Sequence, residues 1–201
     1  MYDVPARPTV NPPLTQDLLE AAYRRGLFPM AEENGRIAWY SPDPRGVFDL
    51  DRFHVPRRLA RVIRSGRFDI RIDADFEAVI RSCAGREETW LNEEMIAAYV
   101  ALHRKGLAHS VEAHREDRLA GGLYGVAIGG AFMGESMFHV ETDASKVCLA
   151  HLVERLKERG FLLLDTQFLT PHLARFGARW IPRSEYLRRL ARALTLECRF
   201  G

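Results

Sequence analysis

Apolar residues recur three and four positions apart in some stretches of the chain and at every second position in others, and the change of period divides it into elements. From Thr15, suited to cap a helix, QDLLEAAYRRG repeats apolar positions at Leu18, Leu19, Ala22 and Tyr23 and stops at Gly26, which predicts an amphipathic helix. An aromatic-rich stretch runs from LFPM to IAWYSPDPRGVFDL, where Pro42 and Pro44 make SPDPR a turn between two short strands. The arginine-rich segment after it reads as a helix, RFDIRI as a strand, DADFEAVIRSC as a helix, and NEEMIAAYVALHRKG as a second helix ended by Gly106. Residues 108–115, 118–127 and 130–139 read as three strands joined by the turns REDR and IGG, and connections that short predict an antiparallel meander. Asp143 or Thr142 can cap a long helix that Gly160 ends, and the wholly apolar FLLLD predicts a buried strand. A helix and a strand, ARWIP, then lead to a terminal helix from Ser184. At the other end Pro5, Pro8, Pro12 and Pro13 predict an extended arm over residues 1–13.

This order predicts an α+β fold with a central mixed, mainly antiparallel sheet flanked by helices. It is the order of the GCN5-related N-acetyltransferase type, a scaffold that acylates amines. The expected division is an arm and a small, trimmed N-terminal lobe over residues 1–55 and a catalytic domain over residues 56–201. In such scaffolds a glycine-rich loop after the fourth strand aims backbone N–H groups at the pyrophosphate of coenzyme A. The corresponding loop here, residues 139–146 (HVETDASK), has no glycine and carries two carboxylates, Glu141 and Asp143. A pyrophosphate would be poorly received there, so another acyl donor and no bound cofactor are expected.

Composition narrows the classes further. No apolar run reaches the ~18 residues of a membrane helix, and MYDVPARPTVNPP lacks the apolar core of a signal peptide, so a cytoplasmic protein with no membrane partner is expected. Cys83, Cys148 and Cys198 are far apart and read as reduced thiols. A net charge of +2 is too small to imply indiscriminate nucleic-acid binding. The arginines are nevertheless clustered: Arg57, Arg58, Arg61 and Arg64 fall largely on one side of their helix, either as a stripe for the phosphates of an RNA stem or as a solvated face.

Seven segments carry a more specific signal: AYRRGLFPM (22–30), WYSPDPRGV (39–47), TWLNEEMIAAYVALHRKGLAHSVE (89–112), GGLYGVAIGGAFMGESMF (121–138), DASK (143–146), LLDTQ (163–167) and FGARWIPR (176–183). Each alone is weak, but GESMF with DASK and DTQ at these spacings is specific. Together they resemble the bacterial leucyl/phenylalanyl-tRNA protein transferases. The resemblance implies that leucine, phenylalanine and, in a flexible pocket, methionine pass from aminoacyl-tRNA to proteins beginning with Arg or Lys. It also implies a downstream protease adaptor that reads the product, and no metal. The chain departs from the family pattern at Met30, where a second tryptophan is usual, at Thr170, where asparagine is common, and in lacking the glycine-rich strand that normally precedes the first helix.

The residues fit such chemistry. An aminoacyl ester is already activated, so an incoming amine needs orientation, proton removal and charge stabilisation, without an enzyme nucleophile. Asp165 and Gln167 stand two apart at the end of an apolar strand, so alternation points both to one face. A glutamine carbonyl can accept a hydrogen bond from an α-amine. The resemblance implies a catalytic pair in which the aspartate polarises or fixes the glutamine, the alternative being a polar strand end that caps the next helix. Glu135 follows Gly134 in the aromatic strand AFMGESMF, where a buried carboxylate needs a cationic partner. The resemblance makes that partner the acceptor's N-terminal Arg or Lys side chain; Arg45 or Lys146 would serve if the role were internal.

Spacing on strands and a helix draws Leu123, Phe132, Met137, Leu149, Leu152, Leu156 and Leu164 toward one place. The resemblance implies the pocket for the aminoacyl side chain, although packed core would show the same pattern. Trp90 offers a broad face for stacking the terminal adenosine, with Met30 at the second stacking position. Two other readings stay open. One is an acyl-coenzyme A N-acyltransferase, which the glycine-free loop argues against. The other is an RNA-binding module without catalysis, which leaves GESMF and DTQ without a purpose.

Overall fold

The computed structural model describes residues 13–85 and 89–201, so the expected arm lies, but for Pro13, outside the described residues. Helix α1 (Gln16–Tyr23) starts where Thr15 Oγ1 accepts a hydrogen bond from Leu18 N, and Gly26 takes a left-handed conformation just beyond its end. Strands β1 (Phe28–Ala31) and β2 (Ile37–Tyr40) pair antiparallel as a separate two-stranded sheet. SPDPR therefore joins two sheets: after it, β3 (Arg45–Phe48) leaves the hairpin for the main sheet.

The elements that follow are α2 (Arg57–Arg64), β4 (Asp69–Ile72), α3 (Phe76–Ala84), α4 (Glu93–Arg104), β5 (Ala108–Arg115), β6 (Arg118–Ile128), β7 (Ala131–His139), α5 (Ala144–Glu158), β8 (Leu163–Gln167), α6 (Pro171–Ala174), β9 (Arg179–Ile181) and α7 (Arg183–Ala193). Among the described residues the main sheet has seven strands in the order β4-β5-β6-β7-β8-β3-β9. Its ladders are antiparallel except β7 with β8, which is parallel. The fold is α+β with a mixed sheet flanked by helices, and the β5-β6-β7 meander is as expected.

Alternation along the strands divides the core. Val111, Ala113, Leu123, Phe132 and Leu164 pack with α5, while Tyr124, Val126, Met133 and Leu163 pack with α1, α3 and α4. Helix α5 departs from expectation at its start. Asp143 stands there in the left-handed region (φ 73°) and makes no capping hydrogen bond, because its carboxylate accepts from Lys146 Nζ at 2.6 Å instead. Among the described residues no helix is long and apolar enough to cross a membrane.

The β7-β8 pairing positions the site. It covers only Ala131–Met133 and Leu163–Asp165. Beyond those residues the strands part, and a cavity fills the gap.

Candidate active site

The cavity has a volume of about 360 Å³ and takes its walls from both sides of the split, Gly134 to Met137 on β7 and Thr166 to Phe168 at the end of β8. Two β-bulges shape it. In the β6-β7 ladder Tyr124 faces Ser136 and Gly125 faces Gly134, which leaves Glu135 as the extra residue. In the β3-β8 ladder Gly46 faces Gln167 and Val47 faces Asp165, which leaves Thr166 as the extra one. A bulge re-aims the side chain it carries. The second bulge requires glycine at position 46, where a Cβ would lie 2.9 Å from the backbone of Phe168 and from Thr166 Oγ1. It also sets Gln167 in the left-handed region (φ 56°), a strain of order ~1–3 kcal/mol that the surrounding contacts must hold.

The expectation that Asp165 and Gln167 share one face is corrected by this bulge. Thr166 and Gln167 line the cavity, and Asp165 lies beneath it, fully buried. Alternation holds only while the ladder is regular. The two residues are joined through the backbone instead, since Gln167 N–H donates to Asp165 Oδ1 at 2.9 Å.

Asp165 is clamped. Arg45, also fully buried, meets it with Nε on Oδ1 at 2.9 Å and Nη2 on Oδ2 at 2.6 Å, and the Tyr186 hydroxyl donates to Oδ2 at 2.9 Å. Arg45 further donates to the carbonyl of Gly26 at 3.2 Å and lies over the rings of Phe28 and Tyr186, 4.8 and 4.4 Å from their centroids. Burial alone would pull the guanidinium below its ordinary pKa, but the Asp165 carboxylate more than reverses this. Such a fork-to-fork pair is strong and directional. Both Asp165 oxygens are thus engaged, which suits an anchor better than a proton acceptor.

Above the anchor, Gln167 Nε2 donates to Glu135 Oε1 at 3.0 Å and leaves its carbonyl oxygen for a ligand. The Tyr99 hydroxyl donates to Glu135 Oε2 at 3.0 Å and is itself hydrogen-bonded to the Tyr23 hydroxyl. Glu135 as a residue is only partly buried, yet its carboxyl lies deep enough that burial pushes its pKa up to about 7, against the pull of the two tyrosines. Burial, and then Glu135, raises the pKa of both Tyr23 and Tyr99, so they remain protonated donors. Neither internal cation that sequence offered takes up Glu135: Arg45 is on Asp165 and Lys146 is on Asp143.

Of the residues read as the aminoacyl pocket, Leu123 and Met137 line the cavity. Phe132, Leu149, Leu152, Leu156 and Leu164 do not; they are buried in the core under α5, where apolar positions of strand and helix pack on one another. Leu164 Cδ1 lies 4.0 Å from where a Cβ on Gly134, a residue of the cavity wall, would stand. Trp90 and Met30 both reach the cavity, brought together by the Ala31 N–H, which donates to the Trp90 carbonyl at 3.0 Å. Arg57, Arg58, Arg61 and Arg64 are exposed on α2, whose buried side is Leu59.

Sequence reasoning missed Arg45, Tyr23, Tyr99 and Tyr186 as supports and Phe28, Tyr124 and His172 as walls. The only advance signal was that Tyr23 and Tyr99 carry hydroxyls on apolar helix faces, where each needs a partner.

The family model described as leucyl/phenylalanyl-tRNA protein transferase matches residues 47–191, and the one described as its N-terminal domain matches residues 13–43. Curated relatives named leucyl/phenylalanyl-tRNA–protein transferase are similar over almost the whole chain. One from Rubrobacter xylanophilus is 62% identical, covering 94% of this chain and 99% of its own. One from Gloeobacter violaceus is 57% identical over 93% and 97%, and one from Paramagnetospirillum magneticum 55% over 90% and 90%.

Proposed function

The chain belongs to the leucyl/phenylalanyl-tRNA protein transferase family, and from that premise we infer how its cavity moves an aminoacyl group from tRNA to the α-amine of a protein. The donor carries leucine or phenylalanine, or methionine where Met137 yields. The acceptor begins with Arg or Lys, and a protease adaptor takes up the product. Charged tRNA puts the reaction in the cytoplasm. The scaffold is of the GCN5-related N-acetyltransferase type, a reading supported by the meander followed by α5 and by β8 parallel to β7.

In the reaction the amine lone pair attacks the ester carbonyl carbon. A C–N bond forms, the C–O bond to the ribose breaks with its electron pair on oxygen, and the proton lost by nitrogen ends on that oxygen. Gln167 accepts a hydrogen bond from the α-amine through its carbonyl and aims the lone pair. Asp165, held by Arg45 and Tyr186, fixes the Gln167 backbone and so acts as a positioning residue. Glu135 meets the guanidinium or ammonium of the acceptor's first residue.

The aminoacyl side chain lies against Leu123 and Met137, a wall backed from the core by Phe132, Leu149, Leu152, Leu156 and Leu164. Trp90 and Met30 flank the adenosine, and the α2 arginines neutralise stem phosphates. The observation that carries the reading is a carboxylate in the cavity wall whose two candidate internal cations are both engaged elsewhere. Incubation with leucyl-, phenylalanyl- or methionyl-tRNA and an Arg-initiated peptide tests it by mass spectrometry. A peptide lengthened by one residue supports the reading, and no product from a folded protein that still binds charged tRNA overturns it.

A further inference from the structure

Among the described residues of the cavity wall, Phe168 is the large apolar side chain that stands exposed, 43% open to solvent. A tight turn fixes its place: the Phe168 N–H donates to the Thr166 carbonyl at 2.6 Å across Gln167, and the Phe168 ring stands edge-on to Phe28 with centroids 5.8 Å apart. Register extends this rim outward. Gly46 of β3 faces Gln167 on one side and Trp180 of β9 on the other. Strand β9 is an edge of the main sheet, and Trp180 is 41% exposed. Directly paired residues point to the same face of a sheet, and on that face a Cβ at Gly46 would meet the backbone of Phe168 at 2.9 Å. Phe168 and Trp180 are therefore neighbours, the first in the cavity wall and the second at the sheet's edge.

Single exposed apolar residues need no explanation, but two aromatic side chains together at the mouth of a cavity suit contact with a partner. The arginines nearest Trp180 in the chain are already engaged: Arg179 Nε donates to Asp49 Oδ2 at 2.8 Å and Arg183 Nη1 to the Ser41 carbonyl at 2.9 Å. That favours an uncharged chain over a polyanion. In the reading above Gln167 and Glu135 hold the acceptor's first residue, and Trp90 and Met30 take the adenosine, which leaves the Phe168 rim to the rest of the acceptor. Two strand spacings, roughly 10 Å, separate Gln167 from Trp180, a span that an extended chain at ~3.3 Å per residue crosses in about three residues.

We propose that Phe168 and Trp180 bind the second to fourth residues of the acceptor protein and favour apolar side chains there. The proposal rests on the transferase reading above and adds to it a specificity beyond the acceptor's first residue.

The test supplies leucyl-tRNA and compares arginine amide, which ends before the rim, with two Arg-initiated hexapeptides that carry phenylalanine or serine at positions two to four. The wild-type protein should favour the phenylalanine peptide about tenfold in kcat/KM, mainly through KM. Trp180→Ser should lower kcat/KM for that peptide about tenfold more than for the serine peptide or arginine amide, and Trp180→Phe should keep most of the preference, with melting temperatures to confirm folding. A wild-type protein indifferent to the two peptides overturns the proposal. So does a folded Trp180→Ser variant that loses equally on all three acceptors, or one whose loss lies in KM for leucyl-tRNA, which would give the rim to RNA. Each of these leaves the transferase reading standing, whereas transfer to no acceptor by the folded wild-type protein overturns both.

Discussion

Glu135→Gln should make the protein more stable and a worse enzyme, a combination that a merely structural carboxylate does not give. The substitution keeps the shape and the hydrogen-bonding capacity. A glutamine oxygen can accept from Gln167 Nε2, and its amide can donate to the Tyr99 hydroxyl, which can turn to Tyr23. What it removes is a charge held in a site that resists it. Burial moves the Glu135 carboxyl from 4.5 to about 7. Each pH unit of such a displacement is worth ~1.4 kcal/mol, so ionised Glu135 costs the folded state ~3 kcal/mol at most.

The sign follows from proton binding: the folded chain holds this proton more tightly than the unfolded chain, so wild-type stability falls as pH rises from 4.5 to about 7 and is level above. Denaturant unfolding at pH 8 should therefore show the variant ahead by ~1–3 kcal/mol, and the gap should close below pH 4.5. In the transfer assay kcat/KM for Arg- and Lys-initiated peptides should fall by a factor of tens to thousands, the ~2–5 kcal/mol of a broken, partly buried charge pair. Binding of aminoacyl-tRNA should persist. A variant less stable at pH 8, with equal losses for every acceptor, would refute the assignment.

Gln167→Ala should lower kcat by ~10² or more while donor binding changes little, since orientation is felt mainly in the transition state; single-turnover kinetics beside a binding titration would reveal it. Asp165→Asn leaves the Arg45 charge buried without its partner, and should destabilise by ~3–5 kcal/mol in denaturant unfolding. Combining it with Arg45→Met should restore much of that stability but not the activity, because the Gln167 backbone loses its anchor. Charge reversal at Arg57, Arg58 and Arg61 together should flatten the salt dependence of tRNA binding by about one unit of slope per lost phosphate contact, and an unchanged slope would move the stem off α2.

The helices and the meander were legible because their signals are local: a threonine before α1, glycines after α1 and α4, and the short turns REDR and IGG between β5, β6 and β7. Motif and resemblance singled out Glu135, Gln167 and Trp90, and the structure brings the three to one cavity. The bulges were not legible. Whether Glu135 or Thr166 is the extra residue depends on the facing strand, and in the second case on how closely Gly46 lets the backbone of Phe168 approach. That is why alternation misdirected Asp165.

Arg45 and Asp165 are 120 positions apart in the chain, and nothing near either one announces the other. The leucines of α5 could not be divided between wall and core, because both demand an apolar residue at the same helical spacing. Asp143 looked like a cap and is instead a counter-ion, because Lys146 offers its carboxylate a stronger partner than a backbone N–H.

The most direct measurement is a competition in one vessel, in which the wild-type protein receives leucyl-tRNA and equal amounts of peptides that begin with Arg, Lys, Asp and Ala and are otherwise identical. The account predicts that mass spectrometry finds one leucyl residue added to the Arg and Lys peptides and none to the other two. Leucine added to all four alike would contradict it.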